Sequence, residues 1–102
     1  MTVVVTAIVH PKPGHLDEAL AVFSRHVGAV HQEPGCELYS LHTQGDDIVV
    51  IEKWTTQAEL DTHGKGSALA RLGAELHPLL AKPADLSSLT PHPAGDPIKG
   101  AL

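Results

Sequence analysis

Cysteine and basic side chains are scarce in this chain, and their scarcity excludes several classes of protein. Cys36 is the only cysteine, which excludes an internal disulfide and a cysteine-based metal cluster, so it is expected to be a buried, inert thiol. Lysine and arginine total 7 dispersed residues against 12 acidic ones, for a formal net charge of −5. Nothing here favours a nucleic-acid or anionic-membrane partner.

Signals for membrane insertion and export are also missing. No apolar run approaches the roughly 20 residues of a membrane-spanning helix, so no membrane partner is expected. The first residues lack the basic-then-apolar pattern of a signal peptide, and we therefore expect a cytoplasmic protein.

Aromatic side chains are few, with Phe23, Tyr39 and Trp54 making up the whole set. The chain of 102 residues is nevertheless 42% hydrophobic, which is ordinary for a single globular domain. The core must therefore be built mainly from valine, leucine, isoleucine and alanine.

The first third of the chain predicts a strand followed by a helix. Residues 3–9 form a continuous, β-branched apolar run, typical of a strand buried on both faces. Apolar residues then recur at three- and four-residue steps from Gly14 onwards, which predicts an amphipathic helix. Pro34 and Gly35 end this helix.

The remainder predicts three more strands and a second helical region. The strands are expected at residues 36–43, 48–54 and, after the second helical region, 85–90. Thr56 and Glu59 have the spacing of a capping box and predict a short helix that ends at residues 64–66. Ser67 is predicted to cap a further helical segment.

The resulting order is that of an α+β, ferredoxin-like βαββαβ domain with a four-stranded antiparallel sheet. Such a sheet carries helices on one face, whereas the first strand is apolar on both. A second copy packed sheet against sheet would cover the other face, so we expect a homodimeric α/β barrel. The domain is assigned to residues 1–90, and residues 91–102, rich in proline and glycine, are predicted to form an extended or flexible tail.

His63 is the first candidate for chemistry. It comes at the predicted end of the short helix, and a neutral imidazole can accept a proton from a phenol near physiological pH. The alternative is structural, because a histidine in this position can also cap helix carbonyls or pack against the third strand.

Three further candidates lie on the second and third strands. Glu52 and Trp54 are two residues apart and therefore point to the same face, where a glutamate needs a partner such as a backbone amide, Lys53 of a neighbour or His63. The alternative for Glu52 is structural, in fixing the strand end or the subunit interface. Trp54 is either a pocket wall for an aromatic ring or a core anchor. The Tyr39 hydroxyl can bind a substrate carbonyl or stabilise an oxyanion, or can simply pack half-buried.

The eight histidines do not predict a metal site. None of their spacings places two ligands on one helix face. Four of them, His10, His15, His31 and His92, are predicted to be solvated.

Several of these residues together resemble the antibiotic biosynthesis monooxygenase family. The resemblance is carried by Glu33-Pro34-Gly35-Cys36-x-x-Tyr39, then Glu52-x-Trp54, then Ala58, Leu60 and His63. It implies a dimeric α/β barrel that oxidises a quinol or polycyclic phenol with dioxygen and without a cofactor. His63 would be the base, with Trp54 and the valines of the first strand as pocket walls. A related branch degrades haem with an asparagine-containing set, and this chain contains no asparagine.

Two other functions stay open. The first is a non-enzymatic dimeric barrel that binds a small hydrophobic ligand or a protein partner, which a lack of polar groups around His63 would favour. The second keeps the fold but changes the reaction to an aldol-type cyclisation or a decarboxylation, because a base in an apolar pocket serves all of these.

Overall fold

The structure, a computed structural model, describes residues 2–102. The elements are β1 (Val3–Pro11), α1 (Leu16–His31), β2 (Cys36–Gln44), β3 (Asp47–Trp54), α2 (Gln57–Gly64), α3 (Ser67–Leu76), a 3-10 turn (His77–Leu79) and β4 (Leu80–Leu89). This order confirms the predicted βαββαβ fold, with its second helical region divided into α2 and α3.

The four strands form one antiparallel sheet in the order β2-β3-β1-β4. β3 lies between β2 and β1, so most of its residues have a cross-strand neighbour on each side. Glu52 is opposite Val5 on β1 and opposite Tyr39 on β2. This register brings two of the predicted site residues side by side in the middle of the sheet.

One face of the sheet is covered by the helices and forms the core. Along β3 every second residue is buried, and these residues are Ile48, Val50, Glu52 and Trp54. Apolar residues of α1 and α3, such as Phe23 and Leu72, complete the core on the other side. The shared face of Glu52 and Trp54 predicted from strand alternation is therefore confirmed.

The division between α2 and α3 follows from local capping. Thr56 is the N-cap of α2, and its hydroxyl accepts the Glu59 N–H at 3.2 Å, as the capping box predicted. The predicted cap of α3 is wrong by one residue, because Gly66 occupies the cap position and Ser67 is already helical. The break is so short that the chain re-enters the helix directly after Gly66.

β4 begins five residues earlier than predicted, because Pro83 does not interrupt it. The pairing of β1 with β4 shifts register between Ile8, opposite Asp85, and His10, opposite Lys82. Pro83 lies within this irregularity, on an edge strand, where the missing N–H removes no regular ladder bond.

His10 is not solvated as predicted. Its side chain is 14% exposed, with Nδ1 3.1 Å from Asp47 Oδ1 and Nε2 2.7 Å from Asp85 Oδ2. The imidazole therefore links β1 to both neighbouring strands.

The sheet face away from the helices is partly covered by the C-terminal segment, residues 90–102, which contains no helix or strand. Asp96 closes a turn in it by accepting the N–H groups of Ile98 and Lys99. The Lys53 ammonium on β3 donates to the Leu102 carbonyl at 2.7 Å. The end of the C-terminal segment is therefore held against β3.

None of the helices in residues 2–102 is both long and apolar enough to cross a membrane.

Candidate functional site

A cavity of about 310 Å³ lies between the sheet and the helices. Its walls are mainly apolar and include Val5, Ala7 and Val9 from β1 and Leu69, Leu72 and Leu76 from α3. Three side chains with polar groups, Tyr39, Glu52 and His63, also line it. A cavity of this size with a few polar groups in an apolar lining is typical of a small-molecule site.

His63 lies in the last turn of α2 and is that helix's only buried residue. It is 5% exposed, and its Nδ1 is 2.7 Å from Glu33 Oε1. A carboxylate can only accept, so Nδ1–H donates to Glu33, and in a neutral ring with this hydrogen bond the lone pair is on Nε2. Nε2 is 3.9 Å from Glu52 Oε1, too far for a direct hydrogen bond.

Two aromatic rings hold the imidazole of His63 in place. The Trp54 ring centroid is 4.6 Å away with an interplanar angle of 31°, and the Tyr39 centroid is 5.8 Å away in an edge-on arrangement. Tyr39 and His63 line the cavity, whereas the fully buried Trp54 packs behind His63. In this structure Trp54 supports the imidazole and the cavity wall is made by other residues.

Glu52 is a carboxyl group buried in an apolar setting, with 5% of its surface exposed. The Trp54 Nε1–H donates to its Oε1 at 3.0 Å, which supplies a partner other than the expected His63. Burial raises the pKa of Glu52, and the Trp54 hydrogen bond and the nearby His63 only partly oppose this. Glu52 therefore holds a proton at a higher pH than an exposed glutamate does.

Tyr39 is more deeply buried than the half-buried alternative assumed, at 6% exposure. Burial, and secondarily the charge of Glu52, raises the pKa of its phenol well above the ordinary value. The hydroxyl therefore remains protonated at neutral pH. It is available as a neutral hydrogen-bond donor to a ligand oxygen.

Sequence reasoning missed Glu33 as a site residue, although Glu33 begins the motif that carries the resemblance. The predicted strand order could have revealed it, because the α1–β2 turn and the end of β3 meet at the same end of the sheet. Gly35, with φ +81°, shapes this turn, and its carbonyl accepts the Thr55 N–H at 2.9 Å. The backbone contact anchors the turn beside the start of α2, whose other end carries His63.

Metal ligands and the single thiol are the other side chains to consider. No group of three or more possible metal ligands occurs in residues 2–102. Cys36 is partly exposed and lies outside the cavity lining, and burial raises the pKa of its thiol. It is therefore a weak nucleophile here.

The fold is shared with solved structures. Rv0793 from Mycobacterium tuberculosis superposes with a TM-score of 0.84 at 23% identity, covering 94% of this chain and all 100% of that one. PA3566 from Pseudomonas aeruginosa gives 0.77 at 23% identity, covering 86% and 91%. A crystal structure of an antibiotic biosynthesis monooxygenase gives 0.80 at 26% identity, covering 89% and 99%. No curated protein matches the sequence.

The family comparison agrees with the fold and with the motif residues. A family model described as antibiotic biosynthesis monooxygenase matches residues 1–73. This range includes β1 to β3, α2 and all of the polar residues around the cavity. The chain therefore belongs to the antibiotic biosynthesis monooxygenase family.

Proposed function

We propose that this protein is a monooxygenase that oxidises a quinol or polycyclic phenol with dioxygen and without a cofactor. The observation that carries the proposal is the buried imidazole of His63, which lines an apolar cavity with Nδ1 already engaged by a carboxylate. Nε2 is then the nitrogen left to accept a proton from a ligand. Family membership supports the reaction class, and the cavity supports a small apolar substrate.

The first step is removal of a phenol proton by His63 Nε2. The substrate O–H bond breaks and an N–H bond forms, leaving an electron-rich phenolate beside an imidazolium. The protonated Tyr39 hydroxyl is placed to donate a hydrogen bond to an oxyanion in the same cavity. The apolar walls strengthen both interactions because they exclude water.

The substrate supplies all the electrons for the remaining steps. The phenolate gives one electron to dioxygen, and the resulting phenoxyl radical and superoxide combine at a ring carbon that carries hydrogen. Protonation of the peroxide by the imidazolium returns His63 to its neutral form. Loss of water then leaves a carbonyl, so a phenol and O₂ yield a quinone and H₂O.

The charges at the cavity restrict the substrate class. Among residues 2–102, the ionisable side chains of the lining are Glu52, His63 and Tyr39, and no lysine or arginine contributes. A carboxylated or phosphorylated substrate would find no lysine or arginine to pair with and would face Glu52. We therefore expect a neutral aromatic substrate with its hydroxyl directed to His63.

The non-enzymatic alternative is a barrel that only binds a hydrophobic ligand. It would be favoured by a buried His63 bonded only to backbone, or by a cavity without convergent polar groups. Here His63 bonds a side-chain carboxylate, and Tyr39 and Glu52 lie on the same cavity. These contacts favour chemistry over passive binding.

The test is oxygen uptake by the purified protein with a panel of neutral hydroquinones and polycyclic phenols. His63→Ala is expected to lower kcat by about 100-fold or more, the usual effect of losing a general base. His42→Ala is the matched control, because His42 is an exposed histidine on β2 outside the cavity lining. Product mass distinguishes oxygen insertion from cyclisation or decarboxylation.

Oxygen uptake no higher than the uncatalysed rate across the panel would contradict the proposal. An equal rate in wild type and His63→Ala would remove His63 from the mechanism.

A further inference from the structure

We infer that Glu33 is a positioning residue that holds His63 in the one tautomer able to act as a base toward the cavity. This inference rests on the proposed function for its catalytic consequence. Glu33 is not part of the cavity lining, and it reaches the site only through the 2.7 Å contact between its Oε1 and His63 Nδ1. It therefore acts through His63 and not on a substrate.

The need for such a residue follows from the two nitrogens of imidazole. A neutral ring carries one proton, and only the tautomer protonated on Nδ1 presents a lone pair at Nε2. The contact on the Nε2 side is Glu52, at 3.9 Å, and its Oε1 already accepts from Trp54. The hydrogen bond that selects a tautomer is therefore the one to Glu33.

The backbone at Glu33 is held by two hydrogen bonds, and the space around its carboxylate is limited. The Glu33 N–H donates to the Val30 carbonyl at 3.0 Å, and the Glu33 carbonyl accepts the Cys36 N–H at 3.2 Å. A Cβ on Gly66 would lie 3.0 Å from Glu33 Oε2, so the glycine leaves room for this carboxylate. A held backbone and a fitted carboxylate are what a positioning residue requires.

Glu33 also stabilises the positive charge that His63 acquires during the reaction. When Nε2 accepts the substrate proton, His63 becomes an imidazolium with 5% of its surface exposed. Glu33, with 18% of its side chain exposed, supplies a carboxylate at hydrogen-bond distance from that cation. The ion pair stabilises the imidazolium while the phenolate is present, so removal of Glu33 affects turnover more than substrate binding.

The primary experiment is ¹⁵N NMR of His63 in the free protein, which reports the nitrogen that carries the proton without any substrate. Wild type is expected to show a neutral ring protonated on Nδ1. Glu33→Ala removes the acceptor and is expected to shift the ring to a mixture of tautomers. Glu33→Gln, whose amide can donate as well as accept, is the second variant, and it is also expected to give a mixture.

The same variants are compared in turnover with the best substrate of the panel. Glu33→Ala is expected to lower kcat by about tenfold or more with KM changed less than about twofold, and Glu33→Asp is expected to restore part of the rate. Glu37→Gln is the matched control, because Glu37 is an exposed carboxylate of β2 that bonds Thr55 and not His63.

A Glu33→Ala protein that keeps His63 fully protonated on Nδ1 would overturn the inference. If the tautomer shifts as expected but wild type oxidises no phenol, the inference on His63 stands and the proposed function fails. The NMR experiment therefore tests the inference on Glu33, and the oxygen-uptake experiment separately tests the proposed function.

Discussion

Glu52 shows how burial changes the behaviour of a single side chain. Because burial raises its pKa above the ordinary value of 4.5, the folded protein holds a proton that the unfolded chain has released at the same pH. Unfolding therefore releases a proton in this window. The free energy of unfolding is highest below pH 4.5 with respect to this group and falls as the pH rises through the raised value.

Glu52→Gln should remove the fall in the free energy of unfolding that burial of Glu52 causes as the pH rises. Glutamine keeps an oxygen that can accept from Trp54 Nε1 but has no charge to bury. Urea unfolding is measured at a series of pH values. The free energy of unfolding of Glu52→Gln should rise relative to that of wild type as the pH increases above 4.5. Glu18→Gln, at an exposed position of α1, is the control. Parallel pH profiles for wild type and Glu52→Gln would contradict the account.

The sequence predicted some of the contacts around His63 and not others. Strand alternation placed Glu52 and Trp54 on one face, because side chains two residues apart share a face whatever the tertiary structure. The partner of Nδ1 is Glu33, 30 residues away along the chain, and this pairing depends on how the α1–β2 turn docks. No local pattern encodes that docking.

At the scale of elements, the α1–β2 turn determines where Glu33 lies. Gly35 has φ +81°, and an added Cβ would lie 2.3 Å from the Glu59 side-chain Cδ. Glu59 in turn accepts from the Thr56 hydroxyl at the start of α2. The turn is therefore packed against the capping group of the helix that carries His63.

The matching prediction compares two glycines with the same φ of +81°, Gly35 and Gly14. A Cβ at position 14 would meet no atom within 4 Å. Gly14→Ala should therefore lower the free energy of unfolding only by the cost of a left-handed backbone, about 1–2 kcal/mol. Gly35→Ala should lower the free energy of unfolding by about 1 kcal/mol more than Gly14→Ala does, because Glu59 must give up its capping contact. Urea unfolding measures both. An equal loss in the two variants would show that the turn is not packed as described.

The boundaries of elements were predictable where the cause is local. Thr56 and Glu59 mark the start of α2 because a capping box uses groups three residues apart. The early start of β4 was not predictable, because Pro83 is tolerated only through a register shift against β1. That shift is a tertiary feature of the edge strand.

At the scale of the whole molecule, the homodimer expected from the sequence remains a prediction. The C-terminal segment contacts part of the sheet face away from the helices through Lys53. Ile8 and Ile51 on this face remain partly exposed, and Leu86 on edge strand β4 is 71% exposed. An edge strand and a sheet face with apolar groups at the surface are typical of association between copies.

Sedimentation velocity at micromolar concentration should therefore give the mass of a dimer. Ile51→Glu should shift the protein toward monomer, because a charge would be placed within the face that we expect to be covered. Ala21→Glu, on the exposed side of α1, should leave the dimer intact. A folded wild-type monomer under these conditions would overturn the prediction.

The proposed function requires that His63 removes a proton from a phenol bound in the apolar cavity. The most direct measurement is the absorption spectrum of a bound neutral phenol, recorded without oxygen at a pH below the phenol's own pKa. We expect a red-shifted phenolate band with wild type and its loss with His63→Gln at saturating phenol. A phenol that binds wild type and keeps the spectrum of its neutral form would contradict it.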